Sequence, residues 1–219
     1  MTSPARRHFL RKAAAQVAVN DGGGLRDATH YERMLMKLAE DKRRLKQIQS
    51  NQAKAEYKRK VLPEYQPWVE GVLLGETGQQ DDVLMTVMLW AVDAGNYLTA
   101  LMIGAYALRF KLAMPDTYKR DAANTLAEEI ADAAKRARDE KTAFDAAVLK
   151  NALSLTEACD MFDPVRAKLL KETGLAIEQT DPQAALEYLA RAKSLDDKVG
   201  VVKDIERITR NLKNSAGNG

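Results

Sequence analysis

From Thr29 onward apolar residues return with the period of a helix, and this run constrains the fold more than any other feature of the chain. Tyr31, Leu38, Leu45 and Gln52 share one heptad position, and Met34, Asp41, Ile48 and Ala55 stand three residues further on. Asp41 and Gln52 are polar interruptions in an otherwise apolar stripe. The spacing predicts one amphipathic helix from Ala28 to Val61, about 50 Å long at the usual rise, capped by Asp27 or Thr29 and stopped by Pro63. So narrow a stripe covers too little area to fold alone, so the helix has to pack against a neighbour in the same chain or in another subunit.

The rest of the chain extends the same reading. Only six prolines, twelve glycines and 6% aromatic residues stand in 219, which favours helices joined by short turns, and 46% hydrophobic residues suffice to bury a core. The expected fold is all-α. Pro63 and Pro67, with Trp68, predict a rigid corner after the long helix. An apolar helix beginning at Asp82 and a partner helix after the Gly95–Asn96 turn read as a helical hairpin. A second hairpin repeats it at an offset of 85 residues, with Ala100, Leu101, Ala105 and Ala107 set against Ala185, Leu186, Ala190 and Ala192. That second copy, with Gly174 in the helix before it and ALEYLARAKSLD after, resembles a degenerate tetratricopeptide unit. The expected organisation is a flexible basic arm over 1–24 with a Gly22–Gly24 hinge and a basic helix over 25–62. A hairpin body over 63–150, tetratricopeptide-like helices over 151–213 and a tail over 214–219 complete it.

Charge separates the front of the chain from the remainder. Residues 1–62 hold fifteen Lys or Arg against six Asp or Glu, a net of +9, while 63–219 hold 19 against 25, a net of −6. Between Lys42 and Lys60 eight cations meet one acid, Glu56. A solvated helix face normally interleaves acids at i to i+4. Uncompensated repulsion here points to an absent anion, and phosphate is the anion that clustered cations serve. The candidate DNA-binding residues are Arg6, Arg7, Arg11, Lys12, Arg33, Lys37, Lys42, Arg43, Arg44, Lys46, Lys54, Lys58, Arg59 and Lys60.

Sites for chemistry are sparse. His8 and His30 have no metal-ligand partner at suitable spacing, Cys159 stands alone, and there is no phosphate-binding loop or nucleophile elbow. No cofactor is expected. Asp81 and Asp82 are the one candidate pair for divalent-metal chemistry, since a nuclease needs converging carboxylates, although Asp at a helix start ordinarily serves as a cap. Trp68, Trp90 and the methionines of LMTVMLW read as core. The longest apolar run falls short of a membrane span, and the single cysteine suits a reducing compartment, so a soluble cytoplasmic protein is expected.

The strings YERMLMKLAEDKRRLK, VLPEYQPWVEGVL, QQDDVLMTVMLWAVDAGNYLTALMIGAYALRFKLAMPDTYKR and VRAKLLKETGLAIEQTDPQAALEYLARAKSLD together resemble the small terminase subunit of tailed temperate phages with cohesive DNA ends, a family also catalogued as the terminase endonuclease subunit. The resemblance implies a packaging role in the host cell. Such a subunit recognises the cohesive-end region of double-stranded phage DNA and passes it to a large terminase subunit that carries the motor ATPase and, in most terminases, the nuclease, so that catalysis is expected in the partner; small subunits of this kind commonly assemble into homo-oligomeric rings. Two rival readings stand beside a DNA-recognition adaptor. One is a Mg²⁺-dependent endonuclease using Asp81, Asp82 and further carboxylates; the other is a helical scaffold whose basic helix binds an acidic protein.

Overall fold

The computed structural model describes residues 25–116 and 118–217, and among them nine helices and no strands form. They are α1 (Leu25–Gln47), α2 (Asn51–Gly75), α3 (Asp82–Asp93), α4 (Tyr97–Phe110), α5 (Ala122–Asp139), α6 (Ala146–Thr156), α7 (Asp163–Ile177), α8 (Pro182–Leu195) and α9 (Val202–Gly217). The all-α expectation holds. The basic arm over 1–24, with Arg6, Arg7, Arg11 and Lys12, lies outside the described residues, as do 218 and 219. The chain divides into two compact units between Ala122 and Ala123. The expected boundaries at 62, 150 and 213 each fall within a helix, α2, α6 and α9.

In the first unit the expected single helix is two. It breaks over Ile48–Ser50, where the Ser50 side chain caps α2 by accepting from the Ala53 N–H at 3.3 Å. Gln52, one of the polar interruptions, therefore falls in the new helix. The stripe itself is correct for α1, since Met34, Leu38, Asp41 and Leu45 are its buried positions.

Pro63 does not stop a helix, and there is no corner at Pro67–Trp68. Both prolines lie inside α2, which runs on to Gly75. Each removes a ladder hydrogen bond, at a cost of about 3 kcal/mol. Around them Val61, Leu62, Tyr65, Trp68, Val69 and Val72 are all buried, and burying large side chains is worth roughly 1.5–3 kcal/mol apiece. The helix persists because its apolar face outweighs its two missing donors. The chain turns instead after Glu76, at Gly78, whose φ of +68° and whose closeness to the Phe110 ring leave no room for a Cβ.

α1 and α2 run antiparallel, held by side chains rather than by close backbones. Tyr31 stacks on Trp68 with ring centroids 5.9 Å apart, Lys37 Nζ lies 3.2 Å from Glu64, and the Tyr57 hydroxyl reaches Asp41. α3 fills the centre of this unit: ten consecutive residues from Val83 to Val92 are buried, which a helix apolar on every side requires. α4 returns along it after Gly95, as the hairpin reading expects, with Asn96 accepting from the Thr99 N–H as cap. Trp68, Trp90, Met85 and Met88 are core.

The second unit is built around α7 and α8. Gly174 lets them approach closely: a Cβ there would sit 2.9 Å from Leu189 Cγ and 3.0 Å from the Ala185 carbonyl oxygen. Ile177, Ala185, Leu189, Val201 and Ile208 form a core that joins α9 to the pair. α5 is tied to α7 by Arg138, whose Nε and NH2 donate to the two oxygens of Glu172, both at 3.0 Å, a two-pronged charged contact. The small-residue pattern read at Gly174 thus finds its close helix pair; the tetratricopeptide likeness is not carried beyond that.

Candidate nucleic-acid interface

The interface has to be assembled from cations that the fold does not already use, because a Lys or Arg matched by its own carboxylate offers little to phosphate. Three of the expected residues are matched. Lys37 bonds Asp41 at 2.8 Å and lies over the Tyr65 ring; Arg44 pairs with Glu40; and Lys58, only 16% exposed at its side chain, pairs with Asp93 at the end of α3. Arg59 donates from Nε to the Ala94 carbonyl at 3.2 Å, a cation at a helix C-terminus, where it is favoured. Lys42 is partly buried toward Asp82, and burial pulls its pKa down. These five are structural in whole or part, and the expectation that only Glu56 offsets the cluster between Lys42 and Lys60 is corrected: Glu40 pairs with Arg44 and Asp93 with Lys58, whereas Glu56 accepts from Gln52.

The remaining cations are open. Arg33, Arg43, Lys46 and Lys60 are exposed, Lys54 is half-buried, and none of the five has a hydrogen bond or ion pair among the described residues. Arg43 lies opposite the buried stripe of α1, and Lys46 follows it by one turn, so the two share an outward-facing strip. Lys46 also sits in the last turn of α1, where the negative helix end favours it. Arg43 has no such internal use.

Underneath this surface lies an arrangement that periodicity does not disclose. Asp41 is 4% exposed, yet its carboxylate accepts from Lys37 Nζ at 2.8 Å, Tyr57 Oη at 2.6 Å and Tyr65 Oη at 2.7 Å. Burial works to raise its pKa, but the hydrogen bonds and the Lys37 charge win and hold it below the usual carboxylate value. Burial and the adjoining carboxylate push the Tyr65 hydroxyl up. Asp41 is therefore an ionic pin between α1 and α2, and it sets the spacing at which the outward cations are held.

Asp81 and Asp82, the candidate metal pair, are used differently from each other. Asp81 is buried; its Oδ1 accepts from the Leu84 N–H at 2.9 Å as the cap of α3, and its Oδ2 accepts from Trp68 Nε1 at 2.8 Å. Burial raises its pKa. Asp82 is exposed and accepts from Gln80, while its backbone N–H donates to Tyr31 Oη, a half-buried phenol pushed up to about 12 by desolvation. Among the described residues no three His, Cys, Asp or Glu side chains gather in a way that could hold a metal ion. Cys159 is a free thiol.

The sequence model of the phage small terminase subunits matches residues 35–164. The chain belongs to the phage small terminase subunit family. It is also similar to the "Terminase, endonuclease subunit" of Escherichia phage P2, at 49% identity over 214 residues, covering 97% of this chain and 87% of that protein. No solved structure matches it. The span matched to the small terminase subunits takes in Arg43, Lys46 and Lys60 and begins two residues after Arg33. Family membership supports a role in DNA packaging, with DNA and a large terminase subunit as the partners it implies. Among the described residues no helix is long and apolar enough to cross a membrane.

Proposed function

We propose that this small terminase subunit recognises the cohesive-end region of phage DNA through the outer face of α1 and α2, and recruits the large subunit that drives packaging. The observation that carries the reading is the set of exposed cations, Arg33, Arg43, Lys46 and Lys60, left without acidic partners among the described residues in a helix pair where Lys37, Arg44, Lys58 and Arg59 are engaged internally. The basic arm with Arg6, Arg7, Arg11 and Lys12 adds charge to the same end of the sequence. Leu98 and Met102, one turn apart on α4 and 72% and 53% exposed, suit contact between copies of the chain, in keeping with a homo-oligomer.

A gel-shift titration with a cohesive-end duplex tests it. Arg43→Glu with Lys46→Glu removes two open cations and adds two repelling charges, so affinity falls by well over tenfold while thermal unfolding stays within about 2 °C of the parent, as for exposed sites. Wild-type affinity in that variant would refute the proposed surface. A measurement of mass in solution, with and without DNA, reads assembly directly.

The name of the P2 relative favours a second reading, in which the chain itself cuts DNA with Mg²⁺. Asp82, exposed at the start of α3, is the carboxylate that remains accessible for it. Purified chain incubated with cohesive-end DNA and Mg²⁺, without any large subunit, decides: cleavage lost in Asp82→Asn supports the second reading, and intact DNA leaves the first.

A further inference from the structure

We propose that the groove between α6, α7 and α8 binds an acidic peptide segment of a partner protein, one that carries apolar side chains among its carboxylates. The groove has a volume of about 590 Å³ and is lined by Lys150, Leu153, Arg166, Leu170, Tyr188 and Arg191. A single carboxylate, Glu157, shares the lining with those three cations. This is a local reversal of charge, since residues 63–219 carry a net of −6.

Among the described residues the cations have no carboxylate partners. Arg166 is fixed by its own chain: one NH2 donates to the Thr156 carbonyl at 3.0 Å and to the Cys159 carbonyl at 2.8 Å, at the C-terminal end of α6. Among the described residues the Arg191 guanidinium reaches only the Ser194 hydroxyl, at 3.2 Å. Lys150 is exposed and makes no hydrogen bond or ion pair among the described residues. A planar guanidinium already oriented loses little freedom when it takes a carboxylate.

The floor decides between occupants. Leu153, Leu170 and Tyr188 belong to the apolar cluster built on Ala167 and Ala192, so a ligand would cover hydrocarbon as well as charge. A DNA backbone needs only the cations and would leave that floor wet. A small anion would be poorly enclosed, because small-molecule sites bury most of their ligand and this groove is open to solvent. A peptide with carboxylates for the rim and an aliphatic side chain for the floor satisfies both.

The test is a fluorescence-anisotropy titration of the full chain with a fluorescein-labelled Glu-Glu-Leu repeat peptide. Saturable binding is expected, weakened at least about tenfold in Lys150→Glu/Arg191→Glu, where both altered side chains are exposed so that the fold is retained. Poly-Glu of equal length should bind more weakly than the Leu-bearing repeat, and Tyr188→Ser should narrow that gap. Equal peptide affinity in wild type and double variant overturns the proposal. So does a loss of duplex-DNA affinity in Lys150→Glu/Arg191→Glu as large as that in Arg43→Glu/Lys46→Glu, which would make the groove a phosphate site.

Discussion

At the scale of single residues, the aspartates show what a periodicity argument reads and what it passes over. Asp41 looked like a fault in an apolar stripe because two of its three partners are distant in sequence: Tyr57 lies 16 residues away and Tyr65 24. Nothing local signals them. Asp81 was legible as a cap because capping is local, yet its second bond, to Trp68, was not. The two differ in sign with pH. Asp41 is held below its ordinary pKa, so its contribution is fully present above the unfolded value, near 4, and is lost as pH falls through the lower folded value. Asp41→Asn should therefore cost about 1.5–3 kcal/mol at pH 7, as for hydrogen bonds to a charged group, and the gap from wild type should close as denaturant melts are repeated below about pH 4. A gap that persists in acid would show that packing, not charge, holds the pin. Asp81 is raised by burial, so its ionisation opposes folding as pH climbs past the unfolded value. Removing its side chain still costs, because the cap is worth about 1 kcal/mol and an unmet Trp68 N–H a further 1–3. Asp81→Ala should lower stability by about 2–4 kcal/mol in urea unfolding; a loss under 1 would mean that water replaces both bonds.

At the scale of elements, the hairpin of α3 and α4 was readable because a continuous apolar run, a Gly-Asn turn and a second apolar run are all local signals. The α1–α2 break was not. Ser50 is a good cap, but the heptad continues through it, and a cap competes with helix continuation by only about 1 kcal/mol, a margin that tertiary contacts decide. The same physics reversed the reading of Pro63 and Pro67, whose local cost is overridden by the buried face of α2. Gly174 is the opposite case, a local oddity with a tertiary cause. Alanine at this helical position gains about 1 kcal/mol in intrinsic propensity, but its Cβ would press on the Ala185 carbonyl, which cannot rotate away, and overpacking costs about 1–3 kcal/mol. Gly174→Ala should thus give a net loss of up to about 2 kcal/mol, seen as a lower urea midpoint. A gain would show that α7 and α8 have slack between them.

At the scale of the whole molecule, the asymmetry of charge was plain in the sequence, whereas the division of labour among the cations was not, because it depends on residues such as Asp93, 35 positions from Lys58. The cluster between Lys42 and Lys60 thus combines two populations, one that builds the helix pair and one that faces outward. They are separable by salt. Each phosphate contact contributes about 0.9 to the slope of log affinity against log salt on duplex DNA. Arg43→Gln/Lys46→Gln should lower that slope by nearly 2 and leave the unfolding midpoint unchanged. Lys58→Gln should do the reverse, leaving the slope within about 0.3 of wild type while lowering stability, because Asp93 loses its partly buried partner. If the Lys58 variant instead shifts the slope as strongly as the double variant, the ion pair opens on DNA and the two populations are one. That result would extend the phosphate-binding surface from the outer face of α1 to the face of α2 that meets the end of α3.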